Sequence, residues 1–171
     1  MSAARRKKPS PRPARIAASW SGVVRLAPDA EVRRTARAAR KYGRREDLEL
    51  SLVFVSEAFL ARLHARYMGD PSRTDVITFD LSDELTGPAG EIYVAADRAR
   101  RVARARNVPG RRELALYIVH GVLHLCGFDD RTRADRTRMR SAEARVLRSL
   151  GWSDDPLPHD TRSSRVGRRI R

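Results

Sequence analysis

Cysteine and aromatic side chains are scarce in this chain. The single Cys126 has no second cysteine to pair with, so a disulfide framework is excluded and a reducing cytoplasm is expected. Aromatic residues make up 6% of the chain, which leaves little for a platform on which nucleic-acid bases could stack. Any recognition of nucleic acid would therefore follow its backbone and shape.

Long apolar runs are also missing. The longest run, residues 114–125, contains two histidines and is shorter than the roughly 20 residues that cross a bilayer. The amino terminus, MSAARRKKPSPRPAR, has no apolar segment after its basic residues and is unlike a secretory signal. We therefore expect a cytoplasmic protein with neither a membrane partner nor a disulfide partner.

Positive charge is abundant, and arginine supplies nearly all of it. Lysine and arginine number 36 against 21 acidic residues, a formal net charge of +15, and only Lys7, Lys8 and Lys41 are lysines. A field of this sign attracts polyanions, nucleic acid first. Ordinary solvated arginine faces are the alternative, which charge alone does not exclude.

The pattern along the chain predicts one domain between two basic ends. Residues 1–18 and 156–171 carry arginines without apolar periodicity, so we expect a disordered basic arm and a disordered basic tail flanking a domain at 19–155. Within the domain, strand and helix patterns alternate. Strands are predicted at 48–56, 74–81 and 91–96, and helices at 29–42, 57–68, 97–107, 111–126 and 132–150. The expected fold is α/β of the α+β type, one small mixed sheet packed against several helices.

The stretch HGVLHLCGFDD, residues 120–130, carries the chemistry. His120 and His124 lie one turn apart on one helix face and can direct their rings at a common point. Gly127 can end the helix in a left-handed turn, bringing Asp129 or Asp130 back toward that face as a third ligand. Two imidazoles and a carboxylate suit catalytic Zn²⁺, and also Fe²⁺. A buried pair of core histidines is the alternative, but each ring would then need its own hydrogen-bond partner.

The same stretch resembles the HGxLHLxGxDH signature of the YbeY family, bacterial metal-dependent endoribonucleases of ribosomal RNA maturation. TDVITF, residues 74–79, and GEIYVA, residues 90–95, are similar to two strands of that family, and Met139, Glu143 and Leu147 match its last helix. The resemblance covers residues 20–152. It implies one zinc ion per chain, a metal-activated water and single-stranded RNA as substrate. It further implies ribosomal RNA of the small subunit, and ribosome-associated proteins, as partners.

Two positions depart from the family pattern. Asp130 stands where the family has its third histidine ligand, and the resemblance assigns the ligand set His120, His124 and Asp130. Asp129 is then a candidate for orienting a histidine through its ring N–H. Met68 replaces an arginine that acts on the RNA phosphate in the family, and Arg66 or Arg73 could supply that charge from nearby.

The substrate prediction depends on charge and on this resemblance. Seven arginines precede the histidine helix and could form a basic approach to it: Arg98, Arg100, Arg101, Arg104, Arg106, Arg111 and Arg112. We take Arg66, Arg73, Arg101 and Arg104 as candidate RNA contacts; the sequence identifies no general base. The alternative function is a basic RNA- or ribosome-binding module with a structural or degenerate metal site. A hydrolase of small substrates also fits the ligands, but leaves the charge unexplained.

Overall fold

Five strands and five helices form the described part of the chain, which a computed structural model gives as residues 14–82, 88–153 and 166–167. The strands are β1 Ile16–Trp20, β2 Leu50–Val55, β3 Val76–Asp80, β4 Gly90–Ala95 and β5 Val166–Gly167. The helices are α1 Asp29–Tyr42, α2 Glu57–Met68, α3 Ala96–Ala105, α4 Gly110–Leu125 and α5 Arg133–Ser149.

The strands form one mixed sheet in the order β1-β2-β4-β3-β5. Neighbours β1, β2 and β4 run parallel, β3 is antiparallel to β4, and β5 runs parallel to β3. Helices connect the parallel strands, as such connections require. The predicted small mixed sheet with several helices is thereby confirmed.

The two faces of the sheet are buried differently. Alternate side chains of β2 and β4, such as Leu52 and Ile92, join the main core with α1, α3, α4 and α5. The side chains on the other face of the sheet, including Ile77 and Phe79 of β3, pack with α2 in a smaller apolar cluster. This alternation follows from the two-residue period of a strand, and it places α2 alone on the second face among the described helices.

Helix α4 lies at the centre of the main core. All of its residues from Arg112 to Leu125 are buried, because an apolar helix must be covered on every side. It packs against α1, α3, α5, β3 and β4. At Gly121 it approaches the sheet so closely that an added Cβ would lie 2.8 Å from Ile92 Cγ2 and 3.0 Å from Val76 Cγ2. The histidines on either side of Gly121 are therefore held against the sheet.

Several boundaries differ from the sequence predictions. Strand β1 begins at Ile16, inside the arm expected at 1–18, because the segment pairs with β2 from Ile16 onward. Residues 1–13 lie outside the described residues, as does the predicted tail except Val166–Gly167, which pair with β3 rather than lacking structure. Within the described residues, no helix is long and apolar enough to cross a membrane.

Candidate metal centre

The turn after α4 positions the last residue of the predicted ligand set. Gly127 adopts a φ of +92°, and its N–H and that of Phe128 donate to the carbonyls of His124 and Leu123 at 3.0 Å each. This left-handed ending reverses the chain. Arg136 of α5 then donates to the Asp130 carbonyl at 3.1 Å, fixing Asp130 beside the histidine face.

The structure brings His120, His124 and Asp130 together. The two Nε2 atoms lie 3.1 Å apart, and Asp130 Oδ2 lies 3.9 Å from each of them. All three ligand atoms fall within 4.8 Å of one another. Nitrogens held about 2.0–2.1 Å from a tetrahedral zinc ion would be about 3.3 Å apart, so the histidines stand close to the spacing that a metal requires.

The opposite edges of both rings are held by hydrogen bonds. His120 Nδ1 lies 2.6 Å from Glu143 Oε1, and His124 Nδ1 lies 3.0 Å from the Phe128 carbonyl oxygen. A carbonyl and an ionised carboxylate only accept, so both Nδ1 atoms carry the ring proton and donate. When both rings are neutral, their Nε2 lone pairs face each other, an arrangement that calls for a cation between them.

Burial and charge set the protonation of this group. Burial and the neighbouring His120 lower the pKa of His124 to about 4, so this ring is neutral near pH 7. Burial also lowers the pKa of His120, but the hydrogen bond and charge of Glu143 outweigh it and the pKa is raised. Burial raises the pKa of Asp130. The site thus offers one neutral imidazole, a second that is stabilised in its charged form, and one carboxylate.

These residues fit a divalent metal ion. A proton on His120 Nε2 could bridge the two nitrogens, but the Asp130 carboxylate, 3.9 Å from either ring, would then accept no hydrogen bond from them. A metal ion takes all three donors at once, and a nitrogen–nitrogen–oxygen set with a further open position suits zinc or iron(II). Asp130 has 11% of its side chain exposed against 0% and 2% for the histidines, so the open side of the site lies at Asp130.

The orienting residue is Glu143, which the sequence reasoning did not single out for this purpose. The role expected of Asp129 falls instead to Glu143 and the Phe128 carbonyl. Asp129 accepts from the Asp130 N–H at 2.8 Å and lies 3.4 Å from Arg131 Nε. The sequence does contain an indication of this role. Glu143 is an acidic residue on the otherwise apolar, buried face of α5, beside Met139 and Val146.

The candidate RNA contacts occupy different surroundings. Arg101 and Arg73 both reach Glu57, the first residue of α2, whereas the Arg66 guanidinium lies over the Tyr67 ring. Arg104 is exposed in the last turn of α3.

Met68, at the opposite end of α2, packs beside the smaller apolar cluster. The helix has 12 residues and is about 18 Å long at about 1.5 Å per residue. The guanidinium of Arg73, which lies at the first residue, therefore does not replace a charge at Met68.

Comparison with known proteins identifies the family. The family model described as "Endoribonuclease YbeY" matches residues 25–151. A protein named endoribonuclease YbeY from Flavobacterium psychrophilum is 37% identical over 102 residues, 58% of this chain and 71% of that protein. A protein of the same name from Finegoldia magna is 35% identical over 113 residues, which are 64% of this chain and 74% of that protein.

A solved structure supports the same fold. The solution structure of TM1509 from Thermotoga maritima aligns with a TM-score of 0.52 at 22% identity, covering 84% of this chain and 99% of that one. At this identity the likeness concerns the fold. The family model, which spans most of the chain, carries the assignment, and the resemblance seen in the sequence is confirmed. The chain belongs to the YbeY family of endoribonucleases.

Proposed function

We propose that this protein is a metal-dependent endoribonuclease that cleaves single-stranded RNA during ribosomal RNA maturation, in the cytoplasm where ribosomes assemble. His120, His124 and Asp130 hold one metal ion per chain, zinc on the chemistry of the donors. Ribosomal RNA of the small subunit and ribosome-associated proteins are its proposed partners. Its relatives carry the name endoribonuclease YbeY, and the net charge of +15 suits a polyanionic substrate.

One observation carries the proposal. The Nε2 atoms of His120 and His124 face each other at 3.1 Å while both Nδ1 atoms are held as donors. A core pair built for stability would place a donor opposite an acceptor, since unpaired buried polar atoms are costly. With both rings neutral, the present arrangement places two acceptors together beside a carboxylate, which suits a metal cation.

The residues of the site divide the work of hydrolysis. Glu143 and the Phe128 carbonyl fix the rings of His120 and His124 so that both Nε2 atoms point to one place. Asp130 completes the set on the exposed side, where an RNA phosphate can approach. When bound, the metal supplies a Lewis acid for the phosphoryl oxygen and activates a water molecule near neutral pH. Zinc peptidases of the HExxH type have a general-base glutamate directly after the first histidine, where this chain has Gly121. This difference argues against peptidase activity.

The test is cleavage of an unstructured RNA by purified wild-type protein. We expect cleavage that a chelator abolishes and that added zinc restores, with His124→Ala inactive because it removes a ligand atom. Asp130→Ala is expected to lose both metal and activity. Wild-type protein that is folded and metal-loaded but leaves this RNA intact would contradict the proposal.

A second function is favoured by one observation, the apolar packing of Met68 where the family has an arginine. A basic RNA-binding module with a structural metal would not need that charge. Tight, chelator-independent RNA binding without cleavage would identify this alternative.

A further inference from the structure

Away from the histidines, three arginines converge on one buried carboxylate. Glu57 Oε1 accepts from Arg98 at 2.6 Å and from Arg101 at 3.0 Å, and Glu57 Oε2 accepts from Arg101 at 2.9 Å and from Arg73 at 3.4 Å. The Glu57 side chain is 7% exposed. We call these four residues the Glu57 cluster. Glu57 comes from the start of α2, Arg98 and Arg101 from α3, and Arg73 from the loop before β3.

The cluster joins the amino-terminal ends of two helices. The Glu57 N–H of α2 donates to Asp97 Oδ1 of α3 at 2.7 Å, and the Arg98 N–H donates to the same oxygen at 2.9 Å. Carboxylates are stabilised at helix amino termini by the positive end of the dipole. Asp97 therefore fixes the start of α2 against α3, and Glu57 holds the three guanidinium groups in defined positions.

The positive charges outnumber the negative ones. Three acids, Glu57, Asp97 and the buried Asp75, whose charge acts on Arg98, stand against the three arginines of the cluster and Arg100, an exposed residue of the same helical turn. Arg98 stays charged: burial lowers its pKa, but the hydrogen bond to Glu57 and nearby negative charges outweigh burial and raise it. Arg98, whose side chain is 27% exposed, already pairs with the buried Glu57 carboxylate at 2.6 Å. Ion pairs made by exposed arginines such as Arg73 and Arg101 add little stability, so stability alone does not account for these two.

Two guanidinium groups of the cluster face solvent. The side chains of Arg73 and Arg101 are 72% and 56% exposed. A guanidinium has five N–H donors, of which Arg101 uses two on Glu57 and Arg73 uses one. The remaining donors are available for an anion with several oxygens. Fixed guanidinium groups suit phosphate because their fork matches its geometry.

The loop that carries Arg73 leads to the candidate metal centre. Val76 follows Arg73 by three residues, and three residues span at most about 11 Å. Its Cγ2 lies 3.0 Å from where a Cβ on Gly121 would stand, beside His120. The backbone of Arg73 is therefore within a few residues of the strand that packs against the histidine helix.

We propose that the Glu57 cluster is a phosphate-binding subsite that holds a backbone phosphate of the RNA strand next to the metal centre. This subsite rests on the proposed function, because its ligand is the RNA that the metal centre cleaves. Arg73 and Arg101 bind the phosphate, and Glu57 and Arg98 position them. The contacts are to phosphate oxygens alone, so the subsite fixes the strand without reading its sequence.

The test measures binding of a fluorescein-labelled, single-stranded oligodeoxythymidylate to the full-length, metal-loaded protein by fluorescence anisotropy. This probe carries the same phosphodiester groups as RNA, and its binding requires no turnover. The variants are Arg73→Ala and Arg101→Ala. The matched control is Arg34→Ala, an exposed arginine of α1, which removes the same charge from another surface. Thermal melting checks each variant for folding, and Arg101→Ala leaves Glu57 its bonds to Arg98 and Arg73.

We expect Arg73→Ala and Arg101→Ala each to weaken binding about fivefold to tenfold, as loss of a charge-assisted contact does. Each should also reduce the slope of log affinity against log salt concentration by about 0.7, the value for one phosphate contact on a single strand. Arg34→Ala should change affinity less than about twofold, since it removes only a distant screened charge.

Equal losses in the cluster variants and in Arg34→Ala would overturn the subsite, because the charges would then act only as a general field. Wild-type protein that binds the oligomer through the cluster but cleaves no RNA would support the subsite and contradict the proposed function. If the cluster variants bind the oligomer as the wild type does while the wild type cleaves RNA, the proposed function would be supported and the subsite contradicted.

Discussion

At the residue scale, the chemistry of the site depends on what holds the far edge of each imidazole. Glu143 accepts from His120 Nδ1 at 2.6 Å from inside the core, where its residue is 4% exposed. A carboxylate in this place fixes the tautomer and strengthens the opposite nitrogen as a ligand. The Phe128 carbonyl does the same for His124 with a weaker, neutral acceptor. The two ligands are therefore oriented by groups of different strength.

Glu143→Ala is expected to lower zinc affinity about tenfold to a hundredfold, the usual cost of losing such a partner. Glu143→Gln should lose less, because its amide oxygen can still accept from Nδ1. The measurement is competition for zinc with a coloured chelator, made on folded protein. An alanine variant with wild-type affinity would mean that Glu143 does not orient the ligand.

The buried thiol of Cys126 leads to a prediction about its reactivity at different pH values. Burial raises the pKa of its thiol from 9.0 to about 11, so at pH 8 the folded protein has about a hundredfold less thiolate than the unfolded chain. Alkylation by iodoacetamide should be slower by about that factor in native protein than in urea, and should rise about tenfold per pH unit toward pH 11.

The raised pKa also affects stability, since the unfolded chain loses this proton first. Stability should be intact below pH 9 and fall as pH rises from 9.0 to about 11. Equal alkylation rates for native and unfolded protein would contradict the prediction.

At the element scale, the approach of α4 to the sheet sets the position of both histidines. Gly121→Ala would place a Cβ 2.8 Å from Ile92 Cγ2, so α4 must shift. We expect a loss of about 1–3 kcal/mol in the free energy of unfolding from overpacking, reduced by up to about 1 kcal/mol of gained helix propensity, together with weaker zinc binding.

Gly110→Ala is the matched control in the same helix, because nothing lies within 4 Å of its added Cβ. It should be neutral or slightly stabilising. Urea unfolding of both variants makes the comparison, and a Gly121→Ala protein as stable as Gly110→Ala would show that the contact is not tight.

Sequence patterns predict elements whose information is local. The apolar run of α4, the Ser56 cap of α2, whose hydroxyl accepts from the Phe59 N–H, and the glycine turn at 127 each signal their structure within a few residues. The sequence does not predict β1 or β5. Strand β1 reads IAASW, in which two alanines and a serine give little apolar alternation, and β5 has two residues, so only their partners define them. The Glu57 cluster joins residues up to 44 positions apart, and no local pattern reports such a contact.

At the scale of the whole molecule, a strongly positive chain carries one group of imidazole and carboxylate side chains at the end of its central helix. The net charge of +15 favours binding of nucleic acid in general, while the proposed metal centre and the proposed phosphate subsite would act at defined points. Affinity and the choice of cleavage position should therefore respond differently to mutation.

Removing residues 1–13, which carry Arg5, Arg6, Lys7, Lys8 and Arg12, tests this separation. We expect weaker RNA binding at low salt and a shallower salt dependence, because five positive charges are lost. The positions of cleavage in a structured RNA should stay the same. Binding titrations at several salt concentrations and gel mapping of the products check both expectations; altered positions would assign the arm a specific role.

The most direct test of the account is the metal content of purified wild-type protein, measured by elemental mass spectrometry beside the His124→Ala variant. We predict close to one divalent metal ion per chain in the wild type, zinc on the chemistry of the donors, and almost none in the variant. Wild-type protein that is folded, yet holds no metal even after incubation with zinc, would contradict the metal centre and with it the proposed hydrolysis.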